Sequence, residues 1–127
     1  MKTLILGASD NPERYSYKAM SMLMKHGHSV ILVHPTLKTI NNIQVYNSIG
    51  NVKEPVDTIT VYVSPGISDP LEPALLTLKP RRVIFNPGAE NPRLARALRA
   101  AGIKTQDACT LVLLQTKQYD DTQVTST

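Results

Sequence analysis

The sequence has a single cysteine, Cys109, among 127 residues, and it has no tryptophan. A single thiol excludes an internal disulfide and a metal site built from several cysteines. It is compatible with the reducing cytoplasm, where we expect the protein to reside. The length fits one domain, which would bury about two-thirds of the surface that the unfolded chain exposes.

Long apolar segments are also missing. The N-terminal apolar segment covers only residues 3–6, whereas a secretion signal needs about 7 to 15 apolar residues. No apolar run approaches the roughly 20 residues that span a membrane. We therefore predict a protein without a membrane partner and interpret the N-terminal segment as a strand.

Positive charge is present but not clustered. The net charge is +4, no run of lysine or arginine exceeds two residues, and aromatic residues make up 5% of the chain. A nucleic-acid interface favours a denser basic patch with stacking aromatics. A mild positive charge suits a small phosphorylated ligand, so we expect a small-molecule nucleotide as partner and no nucleic acid.

What the sequence does contain is an alternation of apolar strands and helical patterns. Ser16, Ser68 and Asn91 are predicted to cap three intervening helices, with Pro92 at the first position of the last one. An apolar segment at 110–114 is compatible with either element, and 43–55 reads as a brief extended piece followed by a turn. Strands are predicted at residues 3–7, 29–34, 57–63, 81–86 and 103–108.

Strands separated by helical crossovers predict a parallel sheet with right-handed connections. The expected fold is α/β: a Rossmann-type, doubly wound, parallel five-stranded sheet in a three-layer αβα arrangement. Strand orders 3-2-1-4-5 and 2-1-3-4-5 both suit five strands. We favour 3-2-1-4-5, with a ligand site between strands 1 and 4. The domain should span residues 1–116, and 117–127 should form a polar, disordered tail.

Small residues and prolines follow the carboxyl ends of four predicted strands. Small side chains let a ligand approach the backbone, and helix N-termini supply N–H donors and a positive dipole for phosphate. One such loop can simply mark the break between a strand and a helix, but four such loops at one sheet edge indicate a ligand site. The loops are Gly7 to Arg14, His34-Pro35, Ser64 to Gly66 and Asn86 to Ala89.

The loop after strand 1 lacks most of the glycines of a dinucleotide site. In G-x-G-x-x-G the second glycine lets the backbone reach the pyrophosphate, and the third lets the helix pack closely on the strand. Here Ser9 and Pro12 occupy those two places. NAD sites also usually end strand 2 in an acidic residue that binds a ribose hydroxyl, whereas this strand ends in Val33 and His34. The two departures argue against NAD.

The stretch "GASDNPERYSYKAMSMLMKHGHSVILVHP", followed by "EPVDTITVYVSP", resembles the small stand-alone CoA-binding domain proteins. The resemblance extends over residues 1–115 and is most specific from Gly7 to Ser16. It implies a Rossmann-type domain, similar to the N-terminal domain of the succinyl-CoA synthetase alpha chain, that holds coenzyme A or acyl-CoA over the strand ends. Family members often have proline, asparagine and lysine where this chain has Tyr15, His34 and Thr36.

The resemblance also implies which residues bind the cofactor. The phosphate loop would consist of Gly7, Ala8, Ser9, Asn11 and Pro12, with Arg14 near the phosphates and Ser16 and Tyr17 closing it. The adenine or 3′-phosphate end would be flanked by His34, Pro35 and Lys38. The middle of the cofactor would lie on Ser64 and Pro65, and its far side on Asn86, Pro87, Gly88 and Ala89.

The resemblance implies a cofactor platform without catalytic machinery, since the related ligases use a phosphorylated histidine and a nucleotide-grasping subunit on further domains. We therefore expect a non-catalytic CoA or acyl-CoA binding protein, with a second copy or an acyl-CoA enzyme as candidate partners. Three alternatives stay open. They are an NAD(P)-binding redox protein or sensor, an acyl-CoA enzyme that uses Cys109 as nucleophile, and a protein–protein module with a vestigial site. No other catalytic residue and no metal ligand is predicted.

Overall fold

All five apolar segments form strands, and two further strands join them in the computed structural model, which describes residues 2–120. The sheet has the order β3-β4-β2-β1-β5-β6-β7. Its pairs are parallel except for β3 and β4, which are antiparallel. The strands are β1 (Lys2–Leu6), β2 (Ser29–Val33), β3 (Thr39–Ile40), β4 (Ile43–Tyr46), β5 (Thr58–Val61), β6 (Arg82–Phe85) and β7 (Lys104–Asp107).

Helices cover both faces of the sheet. The helices α1 and α5 pack on one face through Met20 and Leu113, and α3 and α4 pack on the other through Leu75 and Leu94. This confirms the α/β class and the three-layer αβα arrangement. Among residues 2–120 no helix is long and apolar enough to cross a membrane. The helices are α1 (Tyr15–Lys25), α2 (Pro65–Ser68), α3 (Glu72–Leu78), α4 (Pro92–Ala100) and α5 (Thr110–Gln115), with 3₁₀ turns at Ile49–Asn51 and Asp69–Leu71.

The predicted strand order is wrong in detail. The segment predicted as strand 3, which is β5 here, pairs with β1 instead of lying outside β2. All four residues of β5 are buried, and a parallel strand buried on both faces belongs in the interior of the sheet. The five predicted strands therefore follow the order 2-1-3-4-5, and the point of topological reversal lies between β1 and β5, not between β1 and β6.

The strand β4 takes the outer position beside β2. Counting β4, the six parallel strands have the Rossmann order 3-2-1-4-5-6. The sequence pattern does not predict β4 as a sheet strand because no helix precedes it. The chain reaches β4 through β3 and a tight turn in which Asn41 and Asn42 have φ angles of 51° and 66°. Two consecutive positive φ angles are typical of a type I′ hairpin.

The observed helix starts agree with the predicted cap residues in one case of three. The prediction for Asn91 is confirmed, because its Oδ1 accepts a hydrogen bond from the Leu94 amide at 3.1 Å and Pro92 opens α4. The cap predictions for Ser16 and Ser68 are wrong. The helix α1 already begins at Tyr15, so Ser16 lies buried in its first turn. Pro65 starts a short helix that ends at Ser68, since proline suits a first helical position.

Part of the predicted tail packs against the domain. Tyr119 is 2% exposed, its hydroxyl lies 2.5 Å from Thr3 Oγ1, and its ring contacts His28 edge to face. Its carbonyl accepts a 2.9 Å hydrogen bond from the Arg82 guanidinium, which also lies 4.5 Å from the Tyr119 ring centroid. Burial raises the pKa of Tyr119, which keeps the hydroxyl protonated. The segment 117–120 is therefore docked, and the rest of the predicted tail, 121–127, lies outside the described residues.

Replacing Tyr119 with alanine is expected to lower the free energy of unfolding by about 3 kcal/mol, because it removes a buried ring and the contact of that ring with the buried Arg82 guanidinium. Tyr119→Phe should cost about 1 kcal/mol, since only the bond to Thr3 is lost. Urea unfolding followed by circular dichroism measures both. Tyr15→Ala, at a residue that is 68% exposed, is the control. A Tyr119→Ala protein as stable as the control would contradict the docking.

Candidate functional site

A groove of about 850 Å³ opens at the carboxyl ends of β1, β2 and β5. It lies over the point where the strand order reverses, which is where open α/β sheets bind ligands. Its centre is the loop between β1 and α1, residues 7–14, together with the first turn of α1. We call the side next to β2 and β4 the hairpin end, lined by His34, Pro35, Asn47, Ser48 and Ile49. We call the opposite side the α2 end, lined by Tyr62, Val63, Ser64, Ile67, Leu71 and Pro87.

The turn at Gly7 brings three strand ends together. Gly7 has φ of +93°, and its amide donates to the Val33 carbonyl of β2 at 3.2 Å. On the other side, the Leu6 carbonyl accepts from the Tyr62 amide at 2.9 Å. A Cβ atom at Gly7 would lie 2.9 Å from Val63 Cγ1. This position therefore requires glycine both for its backbone angle and for the close approach.

Side chains replace the missing glycines in the rest of the loop. Ser9 Oγ accepts from the Asn11 amide, and Asn11 Oδ1 accepts from the Glu13 amide, each at 3.0 Å. The Asn11 carbonyl accepts from the Arg14 amide at 3.0 Å. Such local bonds fix turns without positive φ angles. The loop is thus held open by its own polar side chains.

The loop leads into the N-terminus of α1, at the edge of the groove. The first amides of a helix have no intrahelical acceptor, and together with the helix dipole they favour an anion. Arg14 precedes the helix and its own side chain makes no cap hydrogen bond. Over residues 2–120, the groove lining contains one cationic side chain, Arg14, and one carboxylate, Asp10. This part of the groove suits phosphate.

The hairpin end is built around His34. Its Nδ1 accepts hydrogen bonds from the amides of Thr36 and Leu37, both at 3.1 Å. The Asn47 side-chain amide donates to the carbonyls of His34 and Leu37, both at 2.9 Å. The loop after β2 is therefore fixed by two side chains, each of which makes two bonds.

The α2 end is mainly apolar. Ile67 is 56% exposed, and it lines the groove together with Leu71, Val63 and Pro87. Burial raises the pKa of Tyr62 to about 12, so its hydroxyl stays protonated at neutral pH. The groove therefore has a polar end, a phosphate-type centre and an apolar end.

The structure brings most of the predicted binding residues to this groove, and their contacts with a ligand stay predictions. The predicted residues that line it are Gly7, Ala8, Ser9, Asn11, Arg14, Ser16, His34, Pro35, Ser64 and Pro87. The predicted residues outside its lining are Pro12, Tyr17, Lys38, Pro65, Asn86, Gly88, Ala89 and Cys109. Pro12 and Tyr17 instead line a shallow depression on the outer side of α1.

The side chain of Asn86 makes its hydrogen bonds within the protein. It is buried, and its Nδ2 donates to Thr60 Oγ1 at 2.7 Å and to the Val61 carbonyl at 2.9 Å. Its Oδ1 accepts from the Thr110 amide at 2.9 Å. These three bonds join the ends of β5 and β6 to the start of α5, so the side chain stabilises the carboxyl edge of the sheet.

Cys109 lies at the cap position that precedes α5 and is half-buried. A nucleophile needs a base within hydrogen-bond reach and access to the reacting carbonyl. The groove lining does not include Cys109, so this geometry gives no support to its predicted catalytic role.

Sequence reasoning missed a second set of lining residues. Asn47, Ser48 and Ile49 follow β4, so they are found only when that strand is placed in the sheet. Ile67 and Leu71 are four residues apart in the segment after β5, and this helical spacing was a signal for a shared face. The remaining missed residues are Leu6, Asp10, Tyr15, Val33, Tyr62 and Val63.

The fold is that of a Rossmann-type α/β domain, with a groove at the point where the strand order reverses. The family profile described as CoA binding domain matches residues 1–115. The chain belongs to this family of CoA-binding domains, which confirms the resemblance noted in the sequence.

Solved structures share the whole fold. A crystal structure of an uncharacterised protein is 41% identical, with a TM-score of 0.87 over 92% of this chain and 96% of that one. A protein from Thermus thermophilus is 28% identical, with a TM-score of 0.84 over 92% and 89% of the two chains.

A larger enzyme contains the same fold. The dinucleotide forming acetyl-coenzyme A synthetase 1 of Ca. Korarchaeum cryptofilum, with phosphate and ADP, has a TM-score of 0.71 and 16% identity. The match covers 84% of this chain and 25% of that one. At this identity the likeness shows the fold alone.

Gly7→Ala is expected to destabilise the protein by about 2 kcal/mol, because a side chain at positive φ is strained and the new Cβ would press on Val63. Gly66→Ala is the matched control, since nothing lies within 4 Å of a Cβ added there. Urea unfolding of both variants tests this. Equal stability of the two would show that the turn at Gly7 tolerates a side chain.

Proposed function

We propose that this protein is a non-catalytic binding protein that holds CoA or acyl-CoA extended over the carboxyl ends of its strands. The observation that carries the proposal is the groove itself, with a phosphate-type loop and helix N-terminus between a polar end and an apolar end. A diphosphate linking an adenosine to a long, partly apolar arm matches this division. Membership of the CoA-binding domain family supports the same ligand.

The orientation of the cofactor follows from the division of the groove. The diphosphate would lie on the loop from Gly7 to Arg14 and the first turn of α1. The adenosine would lie at the hairpin end, where His34 and Ser48 offer polar atoms. The pantetheine arm would run along Ile67 and Leu71 at the α2 end, and its apolar groups would cover surface that is exposed in the free protein.

The non-catalytic part of the proposal is supported by the groove chemistry. Covalent catalysis needs a nucleophile within hydrogen-bond reach of a base. Among residues 2–120, His34 is the one histidine that lines the groove. Two backbone amides already donate hydrogen bonds to its Nδ1. Cys109 lies outside the lining. The strand end at His34 also lacks the carboxylate of an NAD site, so NAD(P) is the weaker candidate.

Isothermal titration of the pure protein with CoA, acetyl-CoA, NAD⁺ and NADP⁺ tests the ligand. We expect CoA and acetyl-CoA to bind and NAD⁺ to bind at least tenfold more weakly, a difference of about 1.4 kcal/mol. Arg14→Gln should weaken CoA binding about tenfold through the lost charge on the phosphates. Arg96→Gln, on the exposed face of α4, is the control. Tight NAD⁺ binding without a response to CoA would remove the proposal.

The enzymatic alternative has a separate test. Incubation with acetyl-CoA should leave the thioester intact, as measured by release of free thiol. Turnover that is present in the wild type and lost in Cys109→Ser would establish the acyl-CoA enzyme instead, because a serine hydroxyl without an activating base is a poor nucleophile.

A further inference from the structure

We infer that the groove selects acyl-CoA thioesters whose acyl group is apolar and uncharged, and that it disfavours those whose acyl group ends in a carboxylate. The preferred class includes butanoyl-CoA, and the disfavoured class includes succinyl-CoA. This inference rests on the proposed function, because it specifies which acyl groups the same groove accepts at the end of the pantetheine arm.

The first step is the apolar lining of the α2 end. Ile67 is 56% exposed although it lines the groove, and Leu71 and Val63 of the same lining are half-buried. Pro87 adds an exposed apolar ring. A large aliphatic side chain that is open to water gains free energy when apolar atoms cover it. The surface at this end therefore favours a ligand group made of methylene and methyl carbons.

The second step is the lack of a charge partner in that lining. In the part of the chain that the structure describes, none of the six residues of the α2 end is charged. Tyr62 stays protonated because burial raises its pKa to about 12. The cation of the groove lining is Arg14, at the start of α1, where the proposed function places the diphosphate. A carboxylate on the acyl group would therefore lose water without gaining an ionic partner, which costs free energy.

The third step is the charge on the segments that carry the lining residues. Asp69 and Glu72 lie on the turn after α2 and at the start of α3, and the Arg93 guanidinium binds them at 2.7 Å and 2.9 Å. Glu90 follows the lining residue Pro87, and its Oε1 accepts a 2.9 Å hydrogen bond from a backbone amide of the same loop. Three carboxylates thus stand against one guanidinium. This excess of negative charge repels an anionic acyl group.

The charge of the whole protein predicts the opposite preference. The net charge is +4, and a positive protein attracts the ligand with the larger negative charge. Succinyl-CoA carries one more negative charge than butanoyl-CoA. If the general field of the protein decided the affinity, succinyl-CoA would bind more tightly. The direction of the preference therefore separates the local explanation from the general one.

Titration calorimetry of the wild type with butanoyl-CoA and succinyl-CoA measures the preference. The two thioesters have acyl chains of equal carbon number and differ at the end, which is a methyl group in one and a carboxylate in the other. We expect butanoyl-CoA to bind about tenfold more tightly, because the open groove leaves the carboxylate partly hydrated and so reduces the full cost of burying it. Acetyl-CoA should bind about threefold more weakly than butanoyl-CoA, since it lacks methylene groups that cover the α2 end.

A substitution at the α2 end tests where the preference arises. Ile67→Lys replaces an exposed apolar side chain of the lining with a cation. It should reduce the preference for butanoyl-CoA to about twofold, because an exposed ion pair stabilises the succinyl carboxylate and less apolar surface remains for the methyl group. Met24→Lys is the matched control, since Met24 is 47% exposed on α1 and lies outside the groove lining. The control should keep the wild-type preference.

The ratio of the two affinities cancels effects on the shared nucleotide, so the outcomes are distinct. Equal binding of the two thioesters by the wild type, or tighter binding of succinyl-CoA, would overturn the inference and leave the proposed function intact. An unchanged preference in Ile67→Lys would also overturn it, because the α2 end would then not contact the acyl group. Failure of CoA and of all three thioesters to bind would instead refute the proposed function, and the inference with it.

Nuclear magnetic resonance of isoleucine methyl groups provides a readout that needs no variant. The Ile67 Cδ1 methyl resonance should shift further with butanoyl-CoA than with CoA, because the acyl chain would cover that side chain. Ile103 is buried in the core at 5% exposure, and its methyl resonance should respond equally to both ligands. Identical positions of the Ile67 resonance with butanoyl-CoA and CoA would contradict the inference.

Discussion

The close approach of three strand ends at Gly7 is the constraint on which the rest of the site depends. The backbone at Gly7 bonds to β2 on one side, Leu6 bonds to the start of the loop after β5 on the other, and Val63 fills the space where a side chain would stand. The turn therefore fixes the loop before α1 relative to both halves of the sheet. Most residues of the groove lining follow these strand ends or the neighbouring β4, so the turn at Gly7 fixes where they lie relative to one another.

The loop shows how a nucleotide-type turn can form with one glycine instead of three. Glycines provide conformations that other residues disfavour, whereas Ser9 and Asn11 accept backbone hydrogen bonds that stabilise ordinary conformations. The exchange has a consequence for the ligand. Under the proposed function, the side chains of this loop would keep the diphosphate from the close backbone approach that a glycine loop allows.

The sequence predicted the fold class and the central loop well because both depend on local patterns. Buried strands such as β5 are apolar along their length, and Asn91 followed by Pro92 is a strong helix start. The strand order depends on pairings between distant segments, which apolarity does not encode, so β5 was misplaced and β4 was not predicted as part of the sheet. Because β4 was not placed in the sheet, the sequence also did not show that Asn47 and Ser48 lie at the groove. Asn86 shows another limit, since the sequence gives its position at a strand end but not the direction of its side chain, which here bonds to Thr60, Val61 and Thr110.

The two edges of the sheet differ in how much of their polar and apolar surface is covered by the chain itself. At the amino edge, Tyr119 covers the buried Arg82, its carbonyl accepts a hydrogen bond from the Arg82 guanidinium, and its hydroxyl contacts Thr3, all away from the groove. At the carboxyl edge, Ile67 and Tyr15 leave apolar surface exposed, and the side chain of Arg14 makes no cap hydrogen bond to α1. Exposed apolar area costs stability that a ligand with an apolar arm would recover, and the dipole of a helix N-terminus favours an anion. Under the proposed function, the carboxyl edge is the part of the fold whose exposed apolar and polar groups the cofactor would cover.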